Sequence, residues 1–141
     1  MMKTIKSTEM RKEFSFYIDE IVRRKPVFVK RSRDLFLGIS YEMMKDLVSD
    51  IGFTAVLYME SDDSITLSLN EYDIVVNGKN QEEALNKLVN DLREYAEEYY
   101  DQIEFWYNDP QRRSHFKGVI KVLLTDDDQQ LKETIQCHNK Y

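Results

Sequence analysis

The chain has 141 residues, 42% of them hydrophobic and 12% aromatic, enough apolar material for packed cores and against wholesale disorder despite 33% charged residues. Its net charge is −6, yet residues 1–33 hold ten Lys and Arg against four acids, a net of +6, so the remainder carries −12. Such a split points to a basic arm suited to nucleic acid, joined to an acidic part with a different partner.

Residues 3–6 are predicted to form a short first strand. Ser7 can N-cap the helix that follows, with Glu9 in its first turn, where an acid complements the positive end of the helix dipole. Met10, Phe14, Tyr17, Ile18, Ile21 and Val22 recur at spacings of three and four and so share one helix face. Pro26 ends that helix. The segments 27–30 and 35–39 are β-branched and aromatic runs separated by Arg31-Ser32-Arg33-Asp34, a hairpin signal. Ser40 is placed to cap a second helix with Met43, Met44, Leu47, Val48 and Ile51 on its apolar side and Gly52 as its C-terminal glycine.

The second half opens with three predicted strands, 53–60, 65–69 and 72–76. Asp/Ser and Asn/Glu breaks separate them, and Ile65, Leu67 and Leu69 alternate with Thr66 and Ser68 as in a half-buried strand. Asn80 can cap the long helix that follows, whose apolar face is Ala84, Leu85, Leu88, Val89, Leu92, Ala96, Tyr99 and Ile103. Its other face carries Glu83, Asp91, Glu94, Glu97, Glu98 and Asp101. Asn108-Asp109-Pro110 breaks the helix, and residues 116–124 form an apolar segment whose type the pattern leaves open. Asp126-Asp127-Asp128 leads into a polar tail, 125–141, with the composition of a frayed terminus; whether it orders only on binding is also left open.

The expected fold is α+β: a small β-α-β-β-α module, residues 1–51, followed by an acidic domain, residues 52–141, built on a three-stranded antiparallel meander with a long helix. A module of about 50 residues has a marginal core, so dimerisation is expected. The single cysteine, Cys137, excludes an intrachain disulfide framework. No apolar run approaches the ~18 residues of a membrane span, and no signal peptide is visible. The expected location is cytoplasmic, without membrane contact.

Six segments come in the order and spacing of one family. Ile5-Lys6-Ser7 opens the first helix, Glu9-Met10-Arg11 lies in its first turns, and Ile18 through Val22 close its apolar face. Pro26-Val27-Phe28-Val29 forms the next strand, Lys30-Arg31-Ser32-Arg33 the basic hairpin, and Ile39-Ser40-Tyr41-Glu42 enters the second helix. Over residues 3–44 the chain resembles the Phd/YefM antitoxins, small dimeric DNA-binding antitoxins of bacterial toxin–antitoxin operons. It departs at Ser32, near which the family usually carries glycine. The resemblance implies a homodimer or higher even oligomer that represses its own operon, with the basic hairpin and the start of the first helix facing operator DNA. Carried over position by position, the DNA-binding residues are Arg11, Lys12, Lys30, Arg31 and Arg33. The chemistry agrees: Arg offers a planar fork for phosphate or the guanine edge, and Lys a point charge for the backbone.

Residues 53–104 are similar to the HicB-type antitoxin fold, a meander followed by a helix, opened here by Asn80-Gln81-Glu82-Glu83-Ala84-Leu85. An acidic domain complements a basic toxin, and toxins that act on RNA are commonly basic. The toxin-binding candidates are Glu94, Glu97, Glu98 and Asp101 on the helix and Trp106 beyond it, within a run that also holds Tyr95, Tyr99, Tyr100, Phe105 and Tyr107 and could anchor an interface. The resulting expectation is an antitoxin of a type II toxin–antitoxin module.

Competing readings exist for each feature. The tetrad 30–33 could be a solvated turn, the acidic helix face a solubilising one, and the aromatic run simply core. Asp109, Arg112, Arg113, Ser114 and His115 contain the groups of a phosphodiester-cleaving set. They crowd into seven residues of a predicted loop, whereas catalytic groups more often converge from separate elements, so no catalytic residue and no enzyme activity is expected. His115, Cys137 and His138 lack zinc spacing, the spacing of Glu71 and Asp73 asks for no cation, and four glycines leave little room for a phosphate loop; neither metal nor cofactor is expected. The alternative function is a dimeric adaptor that binds no DNA and whose acidic domain holds some other basic partner.

Overall fold

The computed structural model describes residues 3–140; the outermost positions of the two expected domains, 1–2 and 141, lie outside the described residues. The chain divides into two compact units, Met1–Leu47 and Val48–Tyr141.

In the first unit, β1 (Ile5–Lys6) runs directly into α1 (Ser7–Lys12) and α2 (Phe14–Arg23), followed by β2 (Val27–Arg31), β3 (Asp34–Gly38) and α3 (Tyr41–Leu47). The sheet order is β1-β2-β3, with β1 parallel and β3 antiparallel to β2. The one helix expected before Pro26 is two, because the backbone leaves the helical region at Glu13 (φ −123°, ψ 48°) while its N–H still reaches Glu9 O at 3.1 Å. Ser7 does not cap. The strand passes into the helix without an intervening residue, so Lys6 occupies the N-cap position, with no side-chain cap bond.

The predicted apolar face also divides. Ile21, Val27 and Val29 are buried, with Ile5, Met10 and Tyr17 packed against them, whereas Phe14, Ile18 and Val22 are exposed. A sheet of one two-residue and two five-residue strands covers the first of these rows and leaves the row at i, i+4, i+8 uncovered. The hairpin turns on Ser32, whose φ of 54° lies in the left-handed region that glycine adopts most easily. Ser40 caps α3 as expected, its Oγ accepting from Met43 N–H at 3.1 Å. Gly52 is not a left-handed helix end, since no glycine among the described residues has positive φ. It lies where β4 begins, and a Cβ there would come within 3.0 Å of Thr134 O.

In the second unit the meander is β4 (Phe53–Met59), β5 (Ile65–Leu69) and β6 (Ile74–Gly78), joined to α4 (Gln81–Asp101). Asn80 Oδ1 accepts from Glu83 N–H at 2.8 Å, and Glu83 Oε2 accepts from Lys79 N–H at 2.8 Å. These reciprocal bonds occupy donors that a helix start leaves open. A 3-10 turn, Asn70–Tyr72, moves the start of the third strand to Ile74. The helix breaks at Gln102 (φ −121°, ψ 38°), before Asn108-Asp109-Pro110, and resumes as α5 (Ile103–Asn108). The segment of open type is helical, α6 (Phe116–Leu124).

Over residues 125–140 the tail, which has the composition of a frayed terminus, takes up regular structure. Asp127 caps α7 (Asp128–Glu133) through Gln129 and Gln130 N–H, and β7 (Ile135–Asn139) joins the sheet parallel to β4, with Phe53 opposite Ile135 and Leu57 opposite Asn139. The final order is β6-β5-β4-β7, a meander extended by one parallel strand. Two buried residues, Leu131 and Ile135, anchor the otherwise polar segment. The core joins Ala84, Leu88, Val89, Leu92, Ala96 and Tyr99 of α4 to alternate residues of β4, β5 and β6 and to Val119 and Val122 of α6.

Candidate functional site

The first unit gathers cations through strand register. In the parallel β1–β2 pair, Ile5 lies opposite Val29 and Lys6 opposite Lys30. Ile5 and Val29 belong to the core, so alternation turns Lys6 and Lys30 to the other face, about 4.8 Å apart along the ladder. Lys6 joins the five sequence candidates, which had missed it; the matching dipeptides Ile5-Lys6 and Val29-Lys30 were the available signal. Arg31 and Arg33 follow in the hairpin, where Arg31 Nη2 lies 3.5 Å from Asp34 Oδ2 with both side chains 74% exposed, an ion pair that contributes little. Arg11 and Lys12 occupy the last turn of α1, where cations suit the negative end of the dipole. All six side chains are exposed.

The rest of this unit's surface is unusually apolar. Ten of the fifteen exposed large hydrophobic side chains among the described residues fall here, including Phe14, Phe16, Val22, Leu35, Phe36 and Leu47. An open cavity of about 780 Å³ is lined by Ile5, Phe16, Tyr17, Pro26, Val27 and Phe28 among others. At α1, the Tyr17 hydroxyl donates to Glu9 Oε1 at 2.7 Å, and that hydrogen bond is the main cause raising the phenol to about 12.

In the second unit the acids toward the end of α4 lack counter-ions, because the helix's cations are engaged elsewhere: Lys87 Nζ lies 3.8 Å from Glu83 Oε1 and donates to Asn77 O at 2.8 Å. Arg93 Nε meets Asp128 Oδ1 at 2.6 Å, and its Nη2 donates to Thr125 O at 2.7 Å and Asp126 O at 3.1 Å. Glu94, Glu97, Glu98 and Asp101 are exposed, and among the described residues none has an ion-pair partner.

Trp106 is set apart from these carboxylates. Its ring stacks on Tyr99 (centroids 6.2 Å, 17°), with the Arg112 guanidinium 4.6 Å from its centre. Its Nε1 is buried without a hydrogen-bond partner. The exposed rings of the same stretch are Tyr100 at 59%, Phe105 at 68% and Tyr107 at 39%.

Inward from Trp106, Arg112 Nη1 donates to the Tyr95 hydroxyl at 3.3 Å, which pairs with His115 Nδ1 at 2.6 Å, and the Tyr99 hydroxyl donates to Arg112 O at 2.9 Å. Burial raises the phenols of Tyr72, Tyr95 and Tyr99, with Arg112 partly offsetting the effect at Tyr95. Groups of the weighed cleavage set are engaged within the fold: Arg112 and the buried His115 meet at the Tyr95 hydroxyl, Arg113 Nε donates to Tyr107 O at 2.9 Å, and Asp109 Oδ1 accepts from Gln111 N–H at 3.0 Å. Among the described residues no three His, Cys, Asp or Glu are grouped to hold a metal ion, and no helix is long and apolar enough to cross a membrane.

No curated protein matches the chain. The PHD-like family model, described as antitoxin of toxin–antitoxin, RelE/RelB, TA system, matches residues 1–137. The structure is similar to a crystal structure from Syntrophomonas wolfei subsp. wolfei described as the antitoxin part of a proposed toxin/antitoxin system. That similarity has a TM-score of 0.94 and 39% identity over 99% of this chain and 100% of the other. With the family model spanning nearly the whole chain, and an α+β fold shared end to end with an antitoxin, the chain belongs to the PHD-like antitoxins of RelE/RelB toxin–antitoxin systems.

Proposed function

We propose that the chain is a non-catalytic, cytoplasmic type II antitoxin whose Phd/YefM-type first unit dimerises and represses its own operon, and whose HicB-like acidic unit neutralises a basic toxin. The observation that carries this reading is the register of β1 against β2, which sets Lys6 beside Lys30 on the face away from the core; Arg31 ends β2 and Arg33 lies in the turn that follows, and α1, which bears Arg11 and Lys12, packs on β2. Two copies related by a two-fold axis would present this cationic set to two half-sites of an operator. The uncovered row Phe14, Ile18 and Val22 favours pairing, because a unit with three buried core side chains gains stability chiefly by burying apolar surface against a second copy. The exposed carboxylates of α4, Glu94, Glu97, Glu98 and Asp101, favour a basic toxin by charge complementarity.

The test is binding of the purified protein to the DNA upstream of its own gene, at two salt concentrations and against a scrambled duplex. Sequence-selective binding that weakens steeply with salt, by about 0.9 in log–log slope per phosphate neutralised, is expected. No preference for that DNA would leave the adaptor reading in its place.

A further inference from the structure

We infer that the end of α4 and the start of α5 form the seat for a basic protein partner, with Tyr100 and Phe105 as apolar anchors and Glu97, Asp101 and Glu104 as the charged rim. This rests on the reading of the chain as a toxin-binding antitoxin and names the surface that does the binding. Although the backbone breaks at Gln102, its N–H bonds Glu98 O at 3.2 Å and its carbonyl accepts from Trp106 N–H at 3.1 Å. Helical spacing therefore carries across, placing Glu97, Asp101 and Phe105 in one row and Tyr100 and Glu104 in the next. Ile103 and Trp106 turn inward against the core.

The unit buries Phe53, Tyr72 and Tyr99, yet leaves Tyr100 59% and Phe105 68% exposed beside the acids. Rigid rings of this kind, rimmed by polar groups, are the usual anchors of protein interfaces.

Charge selects the occupant. Glu97, Asp101 and Glu104 have no ion-pair partner among the described residues. The nearby Arg112 and Arg113 lie over the rings of Trp106 and Tyr107, at 4.6 and 4.9 Å. A second copy seated ring to ring would bring identical carboxylates together, which like-charge repulsion opposes. A partner that surrounds an apolar patch with Lys and Arg fits both parts.

The experiment titrates the full-length protein with the toxin encoded beside it, by calorimetry at low and high salt. Two variants are compared with wild type. Tyr100→Ser/Phe105→Ser removes the anchors; Asp101→Lys/Glu104→Lys reverses the rim and keeps the rings. Both are expected to keep the wild-type melting temperature and DNA binding while losing at least about tenfold in toxin affinity, and the second should lose most of the salt dependence. Wild-type toxin affinity in both variants would overturn this surface and leave the antitoxin reading standing. Wild-type protein that fails to bind the toxin would overturn that reading as well. A smaller sedimenting species for Tyr100→Ser/Phe105→Ser would identify a second copy as the occupant and also overturn the proposal.

Discussion

Lys6 and Lys30 are register partners on the parallel β1–β2 ladder, and the other cross-strand neighbour of Lys30 is Leu35. Two like charges so placed repel each other in the free protein, and an anion bound between them relieves the repulsion. Lys6→Ala and Lys30→Ala are each expected to weaken DNA binding to a similar degree on all sequences and to lower the salt slope by about one. Thermal stability should hold or rise slightly. Fluorescence anisotropy across a salt series measures both effects, and an unchanged slope would remove the residue from the site.

Ser32 holds φ at 54° in the β2–β3 turn. A β-branched residue tolerates that conformation poorly, so Ser32→Val should cost about 1–2 kcal/mol in the first unit, whereas Ser32→Gly should be tolerated. Hydrogen exchange of the hairpin amides would register the difference, and equal protection in the two variants would contradict it.

Gly118 of α6 faces Tyr72, and an added Cβ would run into the hydroxyl and ring of that buried side chain. Tyr72 packs against Phe53, Tyr95 and His115 and has little room to yield. Gly118→Ala should therefore destabilise the second unit by about 1–3 kcal/mol, seen as a lower urea midpoint for that unit.

Arg93 ties α4 to the first residue of α7, Asp128, and to the carbonyls of Thr125 and Asp126 just before it. Its side chain is only 24% exposed, so Arg93→Ala leaves the part-buried Thr125 carbonyl without its donor while the exposed Asp126 and Asp128 acceptors turn to water, at a cost of about 1 kcal/mol. Faster amide exchange in β7 and α7, with the meander less affected, is the expected pattern.

Alkaline pH should loosen the fold in a defined window. Tyr17 is raised from 10.0 to about 12, first by its hydrogen bond to Glu9, and burial raises Tyr72, Tyr95 and Tyr99. The folded state holds these protons more tightly than the unfolded state does. Their stabilising effect is complete below about pH 10 and declines as pH rises through the folded values. Glu9→Gln should return one phenol toward its usual titration in a phenolate absorbance experiment.

What could be read from the sequence was local chemistry. Asn80 with Glu83, and Ser40 with the N–H of Met43, are caps whose partners lie three residues away, so composition and spacing identify them. The apolar stripe of α4 was visible for the same reason, a periodicity contained within one element. The break at Glu13 was not, since the apolar period runs through it unaltered. β7 was missed because its register partner β4 lies some eighty residues earlier and Ile135-Gln-Cys-His-Asn139 is too polar to announce a strand. Lys6 was overlooked because its place beside Lys30 depends on a strand pairing across more than twenty residues. Trp106 looked like an interface anchor by residue type, whereas its orientation depends on Tyr99 and Arg112 meeting it in three dimensions.

The parallel closure of β7 onto β4 also orders events during synthesis. β4 is among the first segments of its unit to leave the ribosome, yet its second neighbour comes from Ile135–Asn139. At translation rates of about 5–20 residues per second, the first unit, complete at Leu47, has a head start of roughly 5–20 s over that strand. The whole sequence of the basic N-terminal unit is therefore available to seek its partner copy while the acidic unit behind it still has an open sheet edge.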